Sequence, residues 1–235
     1  EAARLLQQTA QTAQGAAIRL RKRIPIAAGL GGGSSDAAAT LVGLNDLWGL
    51  RVETKTLRQL AARLGSDVPF FLSQTAFAVG RGRGERCESL PRAGMLVHVL
   101  AVPEARLSTK EVYEGLARHR AHEGFSLTAP SASLTMVMHA LRNGSLGELA
   151  KGLWNDLEPE ATRRCPVSAH LQSSLREYGC VGTLVSGSGP SVFGLCRDLA
   201  QAQDVARRMR ARDCSWQIEI VRTLPAPTRE DPGGV

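Results

Sequence analysis

The sequence predicts an α+β fold in two domains, and three observations carry that reading. Helical patterns outweigh strand patterns, the strands are not separated by regular crossovers, and a junction at Leu90-Pro91-Arg92 divides the chain. Regular strand–helix alternation would instead predict a doubly wound sheet. The expected domains are 1–91 and 92–225, followed by a loose tail over 226–235. With 235 residues, 43% of them apolar and 22% charged, the chain can bury a substantial core and is not disordered as a whole.

The elements follow in order. Ala2, Leu5, Leu6, Thr9 and Ala13 recur at helical spacing, and the first helix ends near Gln14-Gly15, where glycine is an expected stop. Residues 16–23 alternate apolar and charged side chains, a strand pattern that Pro25 closes. After the run Gly29 to Asp36, a helix carries Ala37, Ala38, Leu41, Leu44 and Trp48 and is capped by Gly49. A further helix spans 54–64 and stops at Gly65, and the apolar run Phe70-Phe71-Leu72 follows a break at 66–69. Gly80, Gly82 and Gly84 mark a loop or bulged strand turn. In the second domain a buried strand is expected over 95–102, ended by Pro103. Helices are expected over 109–118, 132–142, 161–178 and 199–212, and strands over 182–185, 191–196 and 216–221.

Composition narrows the function classes. The net charge of +7 is almost wholly arginine and favours anionic partners, either nucleic acid or phosphorylated small molecules. Aromatic residues make up only 4% and do not interleave with basic ones, which argues against nucleic acid. Arg207, Arg208, Arg210 and Arg212 sit on an amphipathic pattern with Val205, Ala206 and Met209 and read as a solvated helix face. No signal segment opens the chain, and no run approaches the roughly eighteen apolar residues of a membrane span. The five cysteines are widely spaced with no Cys-x-x-Cys pair, which predicts reduced thiols in a cytoplasm. Nothing points to an obligate protein partner. The opening Glu1-Ala2-Ala3-Arg4 has no initiator Met and lies inside a helical pattern, so the chain is expected to begin partway through a protein.

Three segments carry candidate chemistry. Gly31-Gly32-Gly33, set between a strand pattern and a helix, allows torsions that side chains forbid and close approach of an anion to the main chain. Free amides and the dipole at the helix start favour phosphate there. Ser34 and Ser35 can donate hydroxyls, cap the helix or help hold a metal. The run lacks the Gly-Lys-Ser/Thr ending of a Walker loop, and Ser34 stands where a dinucleotide fingerprint has its third glycine. Asp67, before Val68-Pro69 and two phenylalanines, is either a carboxylate partly screened from water that accepts a hydroxyl proton, or a helix cap. Local residues alone favour the cap. Ser186-Gly187-Ser188-Gly189-Pro190 reads as a hairpin turn or as a second cradle of donors for phosphate oxygens.

Together these segments resemble the GHMP kinases. Pro25-Ile26-Ala27-Ala28-Gly29-Leu30-Gly31-Gly32-Gly33-Ser34-Ser35-Asp36 is similar to that family's nucleotide-binding motif. Its triple glycine looks like the branch acting on diphosphocytidyl-methylerythritol, as does the segment Leu64 to Phe71 around Asp67. Ser186 to Phe193 resembles the third family motif, and Lys22-Arg23-Ile24-Pro25, Pro103 with Ser108-Thr109, and Asn155-Asp156-Leu157-Glu158 fit in the family's order.

The resemblance implies a two-domain GHMP fold, with a truncated N-terminal α+β domain, a ferredoxin-like C-terminal domain and the active site between them. It implies ATP and Mg²⁺ as cofactors and phosphorylation of the substrate's 2-hydroxyl. Residues 25 to 35 would wrap the ATP phosphates and Asp67 would be the base, while the metal ligands are left open. Tyr113 would stack on cytosine, with Thr109 and Ser186, Gly187, Ser188 and Gly189 contributing to the substrate side. For Tyr113 a half-buried helix position is an equal reading, as a solvated strand end is for Lys22 and a helix cap for Asn155-Asp156. Upstream strands with a catalytic lysine, which the family carries, have no counterpart here, so 1–235 alone is expected to show little activity. Homoserine and mevalonate kinases are the nearest alternatives, disfavoured by Gly31-Gly32-Gly33. A non-catalytic nucleotide-binding relative is the other, disfavoured by Asp67.

Overall fold

The computed structural model describes residues 1–90, 94–123 and 131–224. The chain divides into two compact units, one built on Glu1–Arg23 and Gly31–Pro91 and the other on Ile24–Leu30 and Arg92–Thr223. The expected junction at Leu90-Pro91-Arg92 falls partly outside the described residues, and the tail after Pro225 lies wholly outside them.

The first unit is mostly helical. Helix α1 (Ala2–Ala10) ends where Gln11 turns left-handed at φ 49°. Helices α2 (Gly32–Leu47), α3 (Thr54–Leu64) and α4 (Val68–Leu72) follow, and strands β1 (Ala78–Arg81) and β2 (Arg86–Ser89) pair as an antiparallel hairpin. Leu6 of α1, Leu41 and Leu44 of α2, and Leu57 and Leu60 of α3 close one apolar core. The strand expected over 16–23 does not form. No described strand pairs with it, and Ile18 and Leu20 are exposed. Alternation makes a strand only when a neighbour takes its amides and carbonyls. Side-chain bonds tie the segment to α2 instead. Trp48 Nε1 donates to the Gly15 carbonyl at 3.1 Å, and Lys22 pairs with Asp36.

The second unit contains the larger core. Strand β3 (Val97–Val102) is followed by α5 (Thr109–Glu123), α6 (Ser131–Asn143), α7 (Leu146–Gly152), α8 (Glu158–Arg164) and α9 (Pro166–Glu177). Then come β4 (Gly182–Val185), β5 (Val192–Cys196), α10 (Leu199–Arg212) and β6 (Gln217–Arg222). The sheet order is β4-β5-β3-β6, antiparallel throughout. This is the ferredoxin-like arrangement, with extra helices in the first crossover. Val205, Ala206 and Met209 of α10, with Leu171 and Leu175 of α9, are fully buried. Each large apolar side chain so buried is worth about 1.5–3 kcal/mol of transfer free energy.

The single helix expected over 161–178 is two helices. Pro166 supplies no amide, and the residue before a proline is pushed out of the helical region, as Cys165 is at φ −129°, ψ 82°. Ile24–Leu30, expected with the first domain, packs with the second unit, where Leu107 donates to the Ala27 carbonyl at 3.4 Å. The α10 arginines lie on an exposed face, as expected, and also bond within the chain. Arg207 pairs with Asp204, Arg208 lies 4.0 Å over the Tyr178 ring, Arg210 donates to the Ile218 carbonyl, and Arg212 donates to Glu177 at 2.9 Å.

Glu160 of α8 is the most deeply placed acid described in this unit, 2% exposed. It accepts two bonds from Arg163, at 2.7 and 2.8 Å, and one from Arg164 at 2.5 Å. A Cβ on Gly115 would lie 1.8 Å from its Oε1, so any side chain there would push the Glu160 carboxylate aside. Arg163 first and Arg164 next hold the Glu160 carboxyl at about 2, against an ordinary value of 4.5. A depressed folded pKa gives stability that is complete above 4.5 and is lost as pH falls towards 2. Glu160→Gln should therefore lower stability at neutral pH by about 1–3 kcal/mol. The same variant should lose less than the wild type between pH 4.5 and pH 2. Urea titrations at pH 7 and pH 3 check both.

Candidate active site

In the first unit, helix α2 starts at Gly32 rather than at Ala37, so the glycines form its first turn. Gly31 occupies the cap position at φ 63°, and a Cβ there would meet Phe71 Cζ at 3.1 Å. The first helical bond runs from Ser35 N to the Gly31 carbonyl at 2.9 Å. The amides of Gly32, Gly33 and Ser34 accordingly have no carbonyl one turn upstream inside the helix. Nothing lies within 4 Å of a Cβ on Gly33, so that side of the turn is open. Free amides, the helix dipole, two serine hydroxyls and open space fit a phosphate chain.

The Gly31–Phe71 contact joins this turn to the segment that carries Asp67. Asp67 stands at the cap position of α4, with helical torsions of φ −89° and ψ −15°, and its side chain makes no capping bond. Pro69 near the helix start removes one amide a cap would use. The carboxylate accepts only from Ser66 Oγ among the described side-chain bonds, at 3.3 Å. The screening from water expected of Asp67 is absent. Val68 and Pro69 turn inward and are buried, and Asp67 itself is exposed. The turn of the β1–β2 hairpin lies alongside, with Gly84 placed so that a Cβ would be 3.7 Å from the Ser66 carbonyl. Lys22 donates to Asp36, which lies in the second turn of α2.

In the second unit, Ala27-Ala28-Gly29 docks on the Ser-Gly loop. Ser186 Oγ donates to the Gly29 carbonyl at 2.9 Å and Ser191 N to the Ala28 carbonyl at 3.4 Å. Gly29 has φ 74°, and a Cβ there would lie 2.1 Å from the Ser186 carbonyl oxygen. Ser186 to Ser191 also closes the β4–β5 hairpin, through Ser186 N to Ser191 O at 2.9 Å. The loop is thus the hairpin turn that the sequence allowed. Thr109 Oγ1 and Ser188 Oγ lie 2.9 Å apart, which fixes the start of α5 against it. Tyr113, one turn further along α5, is 57% exposed, with its ring open to a partner.

Sequence reasoning missed what positions this loop. Asn155 Nδ2 donates at 2.8 Å to both the Val185 and Gly187 carbonyls, and its Oδ1 accepts from Leu157 N at 3.0 Å. Glu158 Oε2 accepts from Val185 N at 2.8 Å and from Gln172 at 2.9 Å. The helix-cap reading of Asn155 covers only the Oδ1 bond. The roughly thirty-residue separation from the loop left no local signal for the other two, since side-chain bonds across such distances show only in the fold.

Comparison with known proteins now decides the family. Models of the GHMP kinases N terminal domain and GHMP kinases C terminal domain match residues 1–75 and 137–213. A 4-diphosphocytidyl-2-C-methyl-D-erythritol kinase of Pelotomaculum thermopropionicum is 43% identical over 223 residues, 95% of this chain and 74% of the relative. The chain belongs to the GHMP kinases. The crystal structure of a 4-(cytidine 5'-diphospho)-2C-methyl-D-erythritol kinase is 35% identical, with a TM-score of 0.76 over 94% of this chain and 75% of that one. A homoserine kinase from Cytophaga hutchinsonii reaches a TM-score of 0.75 at 19% identity, over 95% of this chain and 74% of that one. That second likeness shows the shared GHMP fold alone. No described helix is long and apolar enough to cross a membrane.

Proposed function

We propose that this GHMP kinase transfers the γ-phosphoryl group of ATP to the 2-hydroxyl of 4-diphosphocytidyl-2-C-methyl-D-erythritol, in the cytoplasm, on the non-mevalonate route to isoprenoid precursors. The observation that carries the chemistry is that Asp67 heads α4 with a carboxylate not used for capping, in the same unit as the amide-rich start of α2. The cytidine-linked substrate is favoured by the 43% identity to a relative of that name.

Asp67 takes the proton of the attacking hydroxyl while that oxygen bonds to the γ-phosphorus and the β–γ bridging bond breaks to leave ADP. Gly32, Gly33 and Ser34 offer amides to the phosphate oxygens, and Ser34 and Ser35 add hydroxyls. Gly29 and the Ser186–Gly189 loop hold one another, so the first glycine of the motif is set by the second unit's own hairpin. A Mg²⁺ ion bound with the nucleotide would neutralise phosphate charge. The Ser34 and Ser35 hydroxyls at the start of α2 would help hold it beside the phosphates.

Tyr113 stacks on the cytosine in this reading, a contact worth about 1–3 kcal/mol per base. In a full-length protein that contains this chain, Tyr113→Ala should raise KM for the cytidine substrate by roughly five- to a hundredfold and leave KM for ATP nearly unchanged. Steady-state kinetics with each substrate varied in turn tests this. A parallel rise in both constants would make Tyr113 a structural residue.

A further inference from the structure

Among the described residues β4 is an edge strand of its sheet, so no further strand takes the outward groups of its last residue. Two side chains take them instead. Val185 N donates to Glu158 Oε2 and the Val185 carbonyl accepts from Asn155 Nδ2, each at 2.8 Å. The same Nδ2 donates to the Gly187 carbonyl, also at 2.8 Å. The amide's two hydrogens are thus used on the carbonyls either side of Ser186. Asn155 Oδ1 accepts from Leu157 N at 3.0 Å, and Gln172 Nε2 holds Glu158 Oε2 in turn at 2.9 Å. Turning the Asn155 amide over would set its oxygen against two carbonyls, so a single orientation satisfies every partner.

The backbone held in this way reaches the nucleotide motif. Ser186 Oγ donates to the Gly29 carbonyl at 2.9 Å, and a Cβ on Gly187 would lie 3.1 Å from that same oxygen. The Ala28 and Ala27 carbonyls accept from Ser191 N and Leu107 N, both at 3.4 Å. Of the three grips on the run that leads into the glycine turn, the one made by Ser186 is the shortest. Its aim depends on the two carbonyls that Asn155 fixes.

We propose, resting on the kinase reading, that Asn155 is a positioning residue for ATP. It acts through Ser186, which sets how Gly29 enters the phosphate-binding turn, and not by contact with the nucleotide. Helix capping needs only Oδ1. Positioning needs both hydrogens of Nδ2.

Asn155→Asp separates these roles. It keeps an acceptor for Leu157 N, and Asp caps as well as Asn does, but it removes both donors and turns a carboxylate on two carbonyls. The protein used is a full-length one that contains this chain. Calorimetry should show ATP affinity lowered about tenfold or more in Asn155→Asp, where capping alone predicts wild-type affinity. Asn155→Ala removes the donors without adding charge and should weaken ATP binding as well, which keeps the test open if the carboxylate variant does not fold. Ser186→Ala should also weaken ATP binding, and combining it with either Asn155 variant should cost little more, because both changes act on one bond. Without nucleotide, the Ser186 and Gly189 amides, bonded within the loop at 2.9 and 2.8 Å, should exchange faster in the Asn155 variants. Circular dichroism checks that each variant folds. Undiminished ATP affinity in the Asn155 variants, unaltered exchange, or losses that add in the double variant would each overturn the proposal. A wild type that binds no ATP would overturn the kinase reading and the proposal with it, so the two failures are distinguishable.

Discussion

In a full-length protein that contains this chain, Asp67→Asn should cut turnover by about 10²–10⁴-fold, the range of general-base assistance by a positioned side chain. Asparagine keeps the shape and can still hydrogen-bond, but it cannot accept the hydroxyl proton. Nucleotide affinity and melting temperature should change little, because Asp67 is exposed and makes no capping bond that the fold depends on. If its role were structural, the pattern would invert, with a lower melting temperature and near-normal turnover. Kinetics beside a thermal melt separate the two outcomes. Wild-type turnover in the variant would remove Asp67 from the mechanism.

Gly29→Ala should be nearly as damaging, by a different route. The new Cβ would sit 2.1 Å from the Ser186 carbonyl and 2.8 Å from Gly189 N, on a backbone at φ 74°. Both obstacles are main chain, so no side chain can swing aside. Strain at a left-handed position costs on the order of 1–3 kcal/mol, and the overlap adds to it. The expected result is a loss of about 2–4 kcal/mol in the second unit and at least a tenfold fall in ATP affinity. Gly33→Val is the contrasting variant. Nothing lies within 4 Å of a Cβ there, so the fold should hold while phosphate approach, and with it ATP affinity, suffers. A Gly29→Ala protein with wild-type melting and ATP affinity would show that the docked loop is not part of the nucleotide site.

How much of this was legible in the sequence depended on the range of the forces involved. The helices at α2, α3 and α10 could be read because their apolar spacing is local, and glycine stops close the first two. Cys165-Pro166 split an expected helix in two, a local rule outweighed by the apparent periodicity over 161–178. The strand at 16–23 failed for the opposite reason, since alternation says nothing about whether a partner exists. Glycine positions pointed to the motifs, but the reason for Gly31 (Phe71) and for Gly29 (Ser186) lies in contacts distant along the chain. Asn155 and Glu158 were the least legible, because their bonds to the Val185 and Gly187 backbone exist only once β4 has formed.

The central claim is the identity of the phosphoryl acceptor. The direct measurement offers a full-length protein that contains this chain ATP and Mg²⁺ with equal concentrations of 4-diphosphocytidyl-2-C-methyl-D-erythritol, homoserine and mevalonate, and follows phosphorus NMR of the products. One new phosphate monoester is expected, on the 2-hydroxyl of the cytidine-linked substrate. Phosphate appearing on homoserine or mevalonate instead, or on a different hydroxyl of the cytidine-linked substrate, would contradict it.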